Sequence, residues 1–162
     1  LGSNVNRPAD SAENSNRKPV ETVLRIAKNS CSFNVKREND DGPNKVTLYY
    51  GQLEKKIKHM DVFYEDDGWS TVADKGRQES IYQKFARSIH GFVHDHGVEH
   101  RKVTFMGEKD VSIFYQEKSK RFISVTKNNE LWSGWELSPY QVAHLKANNA
   151  IGAHDNRMQG RR

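Results

Sequence analysis

The last third of the chain constrains its fold more than any other stretch. Lys102 to Met106, Val111 to Tyr115, Phe122 to Thr126 and Glu130 to Glu136 are short, partly alternating apolar runs separated by polar turns. Alternation with a period of two places one side of each run on a core, which is the pattern of half-buried strands. The polar stretch Glu117 to Lys120 supplies one turn. The pair Asn128 and Asn129 tolerates the positive φ of a tight hairpin and supplies another. Strands joined so tightly pair antiparallel, so an antiparallel meander is predicted. Ser138 follows as a helix cap, with Pro139 at the first helical position and Gln141 three residues after the cap.

Upstream the apolar period changes to that of helices. Leu53, Ile57 and Met60 are spaced i, i+4, i+7. Over residues 78 to 94, Ile81, Phe85, Ile89 and Phe92 form one side, with Gly97 as a stop. Pro19 opens a shorter pattern in which Val20, Val23, Leu24 and Ala27 share a face. Val46 to Tyr50 reads equally as a strand or as a helical lead-in. Residues 64 to 77 and the run Arg37 to Asn44 read as loops, the second dense in turn formers. This order predicts an α+β domain: N-terminal helices, then a small antiparallel sheet and a C-terminal helix. The main domain is expected over residues 46 to 150. Residues 1 to 45 read as a linker or an entry-region remnant with one short helix, and 151 to 162 as a flexible basic tail.

Composition narrows the partners. The chain has 26 Lys and Arg against 21 Asp and Glu, a net charge of +5, which favours a polyanion. No apolar run is long enough to span a bilayer. One cysteine, Cys31, excludes an internal disulfide and a multi-cysteine metal site. There is no P-loop, no GxGxxG and no Gly-x-Ser-x-Gly elbow. His90 and His94 have zinc-ligand spacing, with Asp95, His96 and His100 nearby, yet HExxH is missing. A polar helix end is the expected reading, with no metal and no cofactor.

Two windows carry chemistry. In the helix Glu54 to His59, Lys55, Lys58 and His59 stand together on the face opposite Leu53, Ile57 and Met60. A histidine can move a proton there, beside ammonium groups able to bind phosphate. A plain solvated lysine face with an incidental histidine has the same pattern. In the run Trp132-Ser133-Gly134-Trp135, strict alternation puts Leu131, Ser133 and Trp135 on one face and Trp132 on the other. A hydroxyl beside an indole can bind a phosphate or sugar while the ring stacks on an unpaired base. Gly134 would let a ligand or a backbone come close. Two core tryptophans on a strand buried on both sides explain the run as well.

Taken together, these windows resemble the C-terminal tRNase domains of colicin D and related contact-dependent inhibition toxins. The segment Gly51 to Phe63 is similar to the family's lysine-rich stretch ending in Lys-His, followed by Asp and Phe. The segment Asn129 to Pro139 is similar to its closing strand with Ser-Gly-Trp. The helix Ser80 to His90 and the hairpin Val111 to Val125 fall between them in the family's order. The likeness covers residues 46 to 148 and departs at Val62-Phe63-Tyr64, where the family commonly has Gly after Asp-Phe.

The resemblance implies a barnase- or RelE-like shape and metal-independent cleavage of tRNA to a 2′,3′-cyclic phosphate and a 5′-hydroxyl. It implies His59 as the catalytic histidine, Lys55, Lys56 and Lys58 on phosphate, and Ser133 and Trp135 as partners. Ser133 would then bond a phosphate oxygen, and Trp135 would stack on a base or support the histidine. It further implies an acidic immunity protein, a host factor such as elongation factor Tu, and no stable membrane association. The domain would be the C-terminal part of a secreted or cell-surface toxin acting in the target cell's cytoplasm. Two other readings remain open: a non-catalytic RNA-binding module, and an interaction domain for an acidic protein.

Overall fold

A computed structural model describes residues 23–36, 41–63 and 75–152, with side chains from residue 81 onward in the last segment. The expected disordered lead, the start of the short helix after Pro19, residues 64–74 of the loop expected at 64–77 and most of the basic tail lie outside these residues; residues 75–77 of that loop are helical instead. Three strands come first: β1 (Arg25–Ile26), β2 (Ser30–Asn34) and β3 (Lys45–Tyr49), paired antiparallel in that order. Helix α1 (Tyr50–His59) leaves β3 directly, and a short 3-10 turn follows at Asp61–Phe63. Helix α2 (Lys75–Val93) leads into β4 (Val98–Phe105), β5 (Glu108–Gln116), β6 (Arg121–Val125) and β7 (Leu131–Glu136). Helix α3 (Pro139–Asn148) and the short β8 (Ala150–Ile151) close the domain.

The predicted meander is present as a five-stranded sheet in the order β7-β6-β5-β4-β8. Its pairs are antiparallel apart from β4 with β8, which is parallel. Asn129 takes a positive φ of 65° in the β6–β7 turn. Ser138 and Gln141 form the capping box expected of them. The domain is α+β as expected; Val23 is helical, and three short strands then precede α1.

Two expectations about the N-terminal part change. The helical face was expected to reach Ala27, but Arg25 and Ile26 pair instead with Ser32 and Cys31. The alternation of Cys31 and Phe33 is too short to outweigh the turn formers around it, so the strand was not legible. Val46 to Tyr49 is strand, settled by its full register with β2, Ser30 opposite Tyr49 through to Asn34 opposite Lys45. A boundary near residue 45 therefore runs through a hydrogen-bonded sheet.

Two cores sit on opposite faces of the five-stranded sheet. On one face, Phe114, Ile123, Val125 and Leu131 meet the stripes Leu53, Ile57, Met60 and Phe85, Ile89, Phe92 of the two long helices, together with Cys31, Phe33 and Leu48. Each such side chain contributes about 1.5–3 kcal/mol when fully buried, which is what anchors α1 despite the hydrophilic remainder of its surface. On the other face, Val103, Phe105, Ile113, Tyr115, Phe122 and Trp135 are covered by Leu137, Leu145 and Ile151.

Candidate active site

Helix α1 lies beside β7, the edge strand of the large sheet. Its buried stripe of Leu53, Ile57 and Met60 turns the remaining positions outward, so Lys55, Lys58 and His59 are exposed. Two contacts join helix and strand. The Lys56 ammonium donates to the Trp132 carbonyl at 2.8 Å, across 76 positions of sequence. One turn further on, the His59 ring meets Trp135 edge to face, with centroids 5.7 Å apart and planes at 76°. Two segments at opposite ends of the main domain thus form one surface. Partial burial pushes the Lys56 ammonium below its ordinary pKa, an effect opposed by the nearby carboxylate of Glu130. Lys56 hence has a structural engagement that the sequence did not suggest.

Trp135 is only 4% exposed. Phe122 and Phe105 pack on it with centroids at 4.8 and 5.9 Å, and its indole N–H donates to Gln141 Oε1 at 3.4 Å. A base has no access to a ring walled in this way. Of the two roles open to Trp135, supporting the histidine fits its surroundings, and stacking on a base does not. Gln141, seen in the sequence only as part of the cap, also accepts from the Ser138 N–H at 3.1 Å. It thereby ties α3 to the tryptophan behind His59.

The register of β7 departs from strict alternation. Phe122, Ile123 and Ser124 stand opposite Trp135, Gly134 and Ser133, but Val125 stands opposite Leu131. Trp132 is the extra residue of a β-bulge. As a result Leu131 faces the helix-covered core, while Ser133 and Trp135 share the other face with Phe122. This corrects the expected common face of Leu131, Ser133 and Trp135. Trp132, expected to point away from Trp135, packs on the same core through Phe105, with centroids 4.8 Å apart. The buried Ser124 hydroxyl serves the main chain at the bulge: it accepts from the Ser133 N–H and donates to the Ser133 carbonyl, both at 3.2 Å.

Gly134 is buried, and a Cβ there would meet the Phe122 carbonyl oxygen and the Ile123 Cα. The close approach is that of the neighbouring strand, with no room for a ligand.

The turn after His59 is held by a residue that sequence reasoning missed. Arg121 lies over Phe63 and Phe92, 5.4 and 5.0 Å from the ring centres, and donates to the Val62 carbonyl at 3.3 Å. Its Nε donates to Ser119 Oγ at 3.1 Å, and Ser119 donates to Gln116 Oε1 at 2.5 Å. The buried Gln116 amide donates to Asp95 and to the His96 carbonyl. That bond from Gln116, followed by one from the His96 N–H, holds the Asp95 carboxyl below its ordinary pKa. A lone arginine at a strand start gives no sequence signal of such a role.

The second histidine cluster is structural in its contacts. His94 Nε2 accepts from the Lys36 N–H at 3.1 Å, so its Nδ1 carries the proton donated to the His90 carbonyl at 2.9 Å. Among the described residues no group of three or more His, Cys, Asp or Glu is arranged to hold a metal ion. No helix among them is long and apolar enough to cross a membrane.

No protein-family model matches the chain, and no curated protein matches it. Among solved structures it is similar to a ribonuclease from Escherichia coli complexed with its inhibitor protein. The identity is 24%, covering 62% of this chain and 100% of that chain, with a TM-score of 0.48.

Proposed function

We propose that the domain is an endoribonuclease toxin that cuts tRNA by acid–base chemistry on protein groups alone. The observation that supports this best is the packing of His59 against Trp135, on a helix that also presents Lys55 and Lys58. A proton carrier on α1 is held against the edge strand beside two exposed cations, which is what cleavage of a phosphodiester by a neighbouring hydroxyl requires. The ribose 2′-oxygen attacks phosphorus, its proton leaves, and the bond to the 5′-oxygen breaks with protonation of that oxygen. The products are a 2′,3′-cyclic phosphate and a 5′-hydroxyl. His59 performs one of the two proton transfers. Lys55 and Lys58 neutralise the pentavalent phosphate, and Ser133, on the face of Trp135, bonds one of its oxygens. Lys56 serves phosphate with whatever its bond to Trp132 leaves.

In this reading the domain is the C-terminal part of a delivered toxin and acts in the cytoplasm of a target bacterium. An acidic immunity protein covers the basic surface, and a host factor such as elongation factor Tu presents the tRNA. Incubation with total tRNA and denaturing electrophoresis tests the activity. Cleavage should persist in excess EDTA. His59→Ala should lose about 10²- to 10⁴-fold in rate, the usual worth of one acid–base group, while still binding tRNA. An unchanged rate in that variant sinks the assignment. Intact tRNA bound with steep salt dependence marks a binding module instead.

A further inference from the structure

We infer that the cleft beside Trp132 is a nucleobase subsite, taking an unpaired base that carries an exocyclic amino group. The inference rests on RNA as the substrate and deepens the proposed function. A cleft of about 370 Å³ is lined by Trp132 together with Glu108, Asp110, Thr126, Lys127 and Asn128. That volume falls within the range of about 300–1,000 Å³ usual for small-ligand sites.

Two linked features point to a base, and a third sets the cleft beside the proposed site. The first is the division of labour between the two tryptophans. Trp135 is walled in by Phe105 and Phe122, whereas Trp132 is only half-buried and borders the cleft. An accessible aromatic ring offers stacking to any base. The second is the bulge. With regular alternation Trp132 would turn to the helix-covered face. The extra residue turns it onto the face of Ser133 and Trp135 instead, and bulges commonly re-aim a side chain beside a site.

The third is the bond from Lys56 Nζ to the Trp132 carbonyl, which fixes the cleft relative to the helix carrying His59 one turn later. Because of the bulge, Trp132 lies between two and three pair spacings from Trp135, roughly 7–10 Å along the strand. A nucleotide whose phosphate lies at His59 can span that distance to place a neighbouring base in the cleft.

The lining sets which base. Glu108 and Asp110 are exposed carboxylates, and ionised carboxylates only accept hydrogen bonds. Against the single ammonium of Lys127 they leave the lining net negative, which disfavours a phosphate and favours a base edge rich in donors. Cytosine, adenine and guanine present an amino group there, while uracil has a single ring N–H. The subsite therefore discriminates against uridine.

The test uses the full chain and fluorescently labelled 2′-O-methyl hexanucleotides, which lack the attacking hydroxyl and stay uncut. Binding is read by anisotropy, with thermal melts of every variant alongside. The wild type should bind cytidine-containing sequences more tightly than their uridine counterparts. Trp132→Leu should bind about 5- to 150-fold more weakly, the usual worth of one stacked base. Trp132→Phe, which restores a flat ring, should recover to within about threefold. Asp110→Asn and Glu108→Gln should narrow the preference for cytidine over uridine. Equal binding by folded Trp132→Leu and wild type overturns the subsite. If the Trp132 variants do not fold, an undiminished preference in both carboxylate variants overturns it equally. The predicted binding pattern with intact tRNA supports the subsite and defeats the enzyme reading. His59-dependent cleavage with no effect of Trp132→Leu does the reverse.

Discussion

His59 and His90 show how environment assigns different work to one residue type. His59 is exposed at the end of α1, with the edge-on Trp135 as its neighbour. His90 is half-buried, in ring contact with Phe33 at 5.0 Å and His94 at 4.5 Å. Burial lowers the His90 pKa to about 4, and the neighbouring His94 and the Lys36 ammonium act in the same direction. An unfolded histidine titrates near 6.5, so between about 6.5 and 4 the unfolded chain takes up a proton that the folded chain refuses. Stability is therefore full above that window and falls as pH drops through it. Melting temperature should decrease between pH 7 and pH 5, and His90→Gln should flatten that dependence. An equally steep profile in the variant would show that another group is responsible. The spacing of His90 and His94 was legible in the sequence, but their hydrogen bonds and burial came from β2 and Lys36, more than fifty positions away.

Among the elements, β7 departs most from its sequence pattern. Its ends and its closing cap were legible, because alternation, Asn128-Asn129 and the Ser138–Gln141 box are local signals. The bulge was not, since an extra residue in one strand is defined only by the register of its partner. Gly134 illustrates the consequence. Its proximity to the Phe122 carbonyl leaves no space for a Cβ, and the atoms in the way are backbone. Gly134→Ala should cost about 1–3 kcal/mol in chemical denaturation, the usual range for overpacking. It should also disturb Ser133 and Trp135 together, because both belong to the same short strand. A variant as stable as the wild type would mean that β6 and β7 separate more easily than their ladder implies.

At the scale of the whole molecule, the small N-terminal sheet is part of the domain. Cys31 and Phe33 are almost completely buried, and they share one core with Leu53, Phe85 and Ile89. The Cys31 thiol is accordingly pushed up to about 11 by burial. A chain beginning at residue 46 would lose these side chains and leave β3 without its partner strand. It should fail to give a cooperative thermal transition, as followed by circular dichroism. A sharp melt near that of the full chain would restore the boundary read from composition.

The amino-acid sequence alone sets the local elements: the helix stripes at Leu53, Ile57, Met60 and at Phe85, Ile89, Phe92, the meander and the capped final helix. It also supplied the residue types of the proposed chemistry. These depend on periodicity and turn preference, which act between near neighbours. The folded chain adds that Lys56 binds the Trp132 carbonyl, that Trp135 is enclosed while Trp132 borders a cleft, and that Arg121 holds the turn after His59. Those outcomes depend on register and on contacts between distant segments. A side chain's accessibility is set by what packs on it, and one added residue in a strand is enough to exchange its two faces.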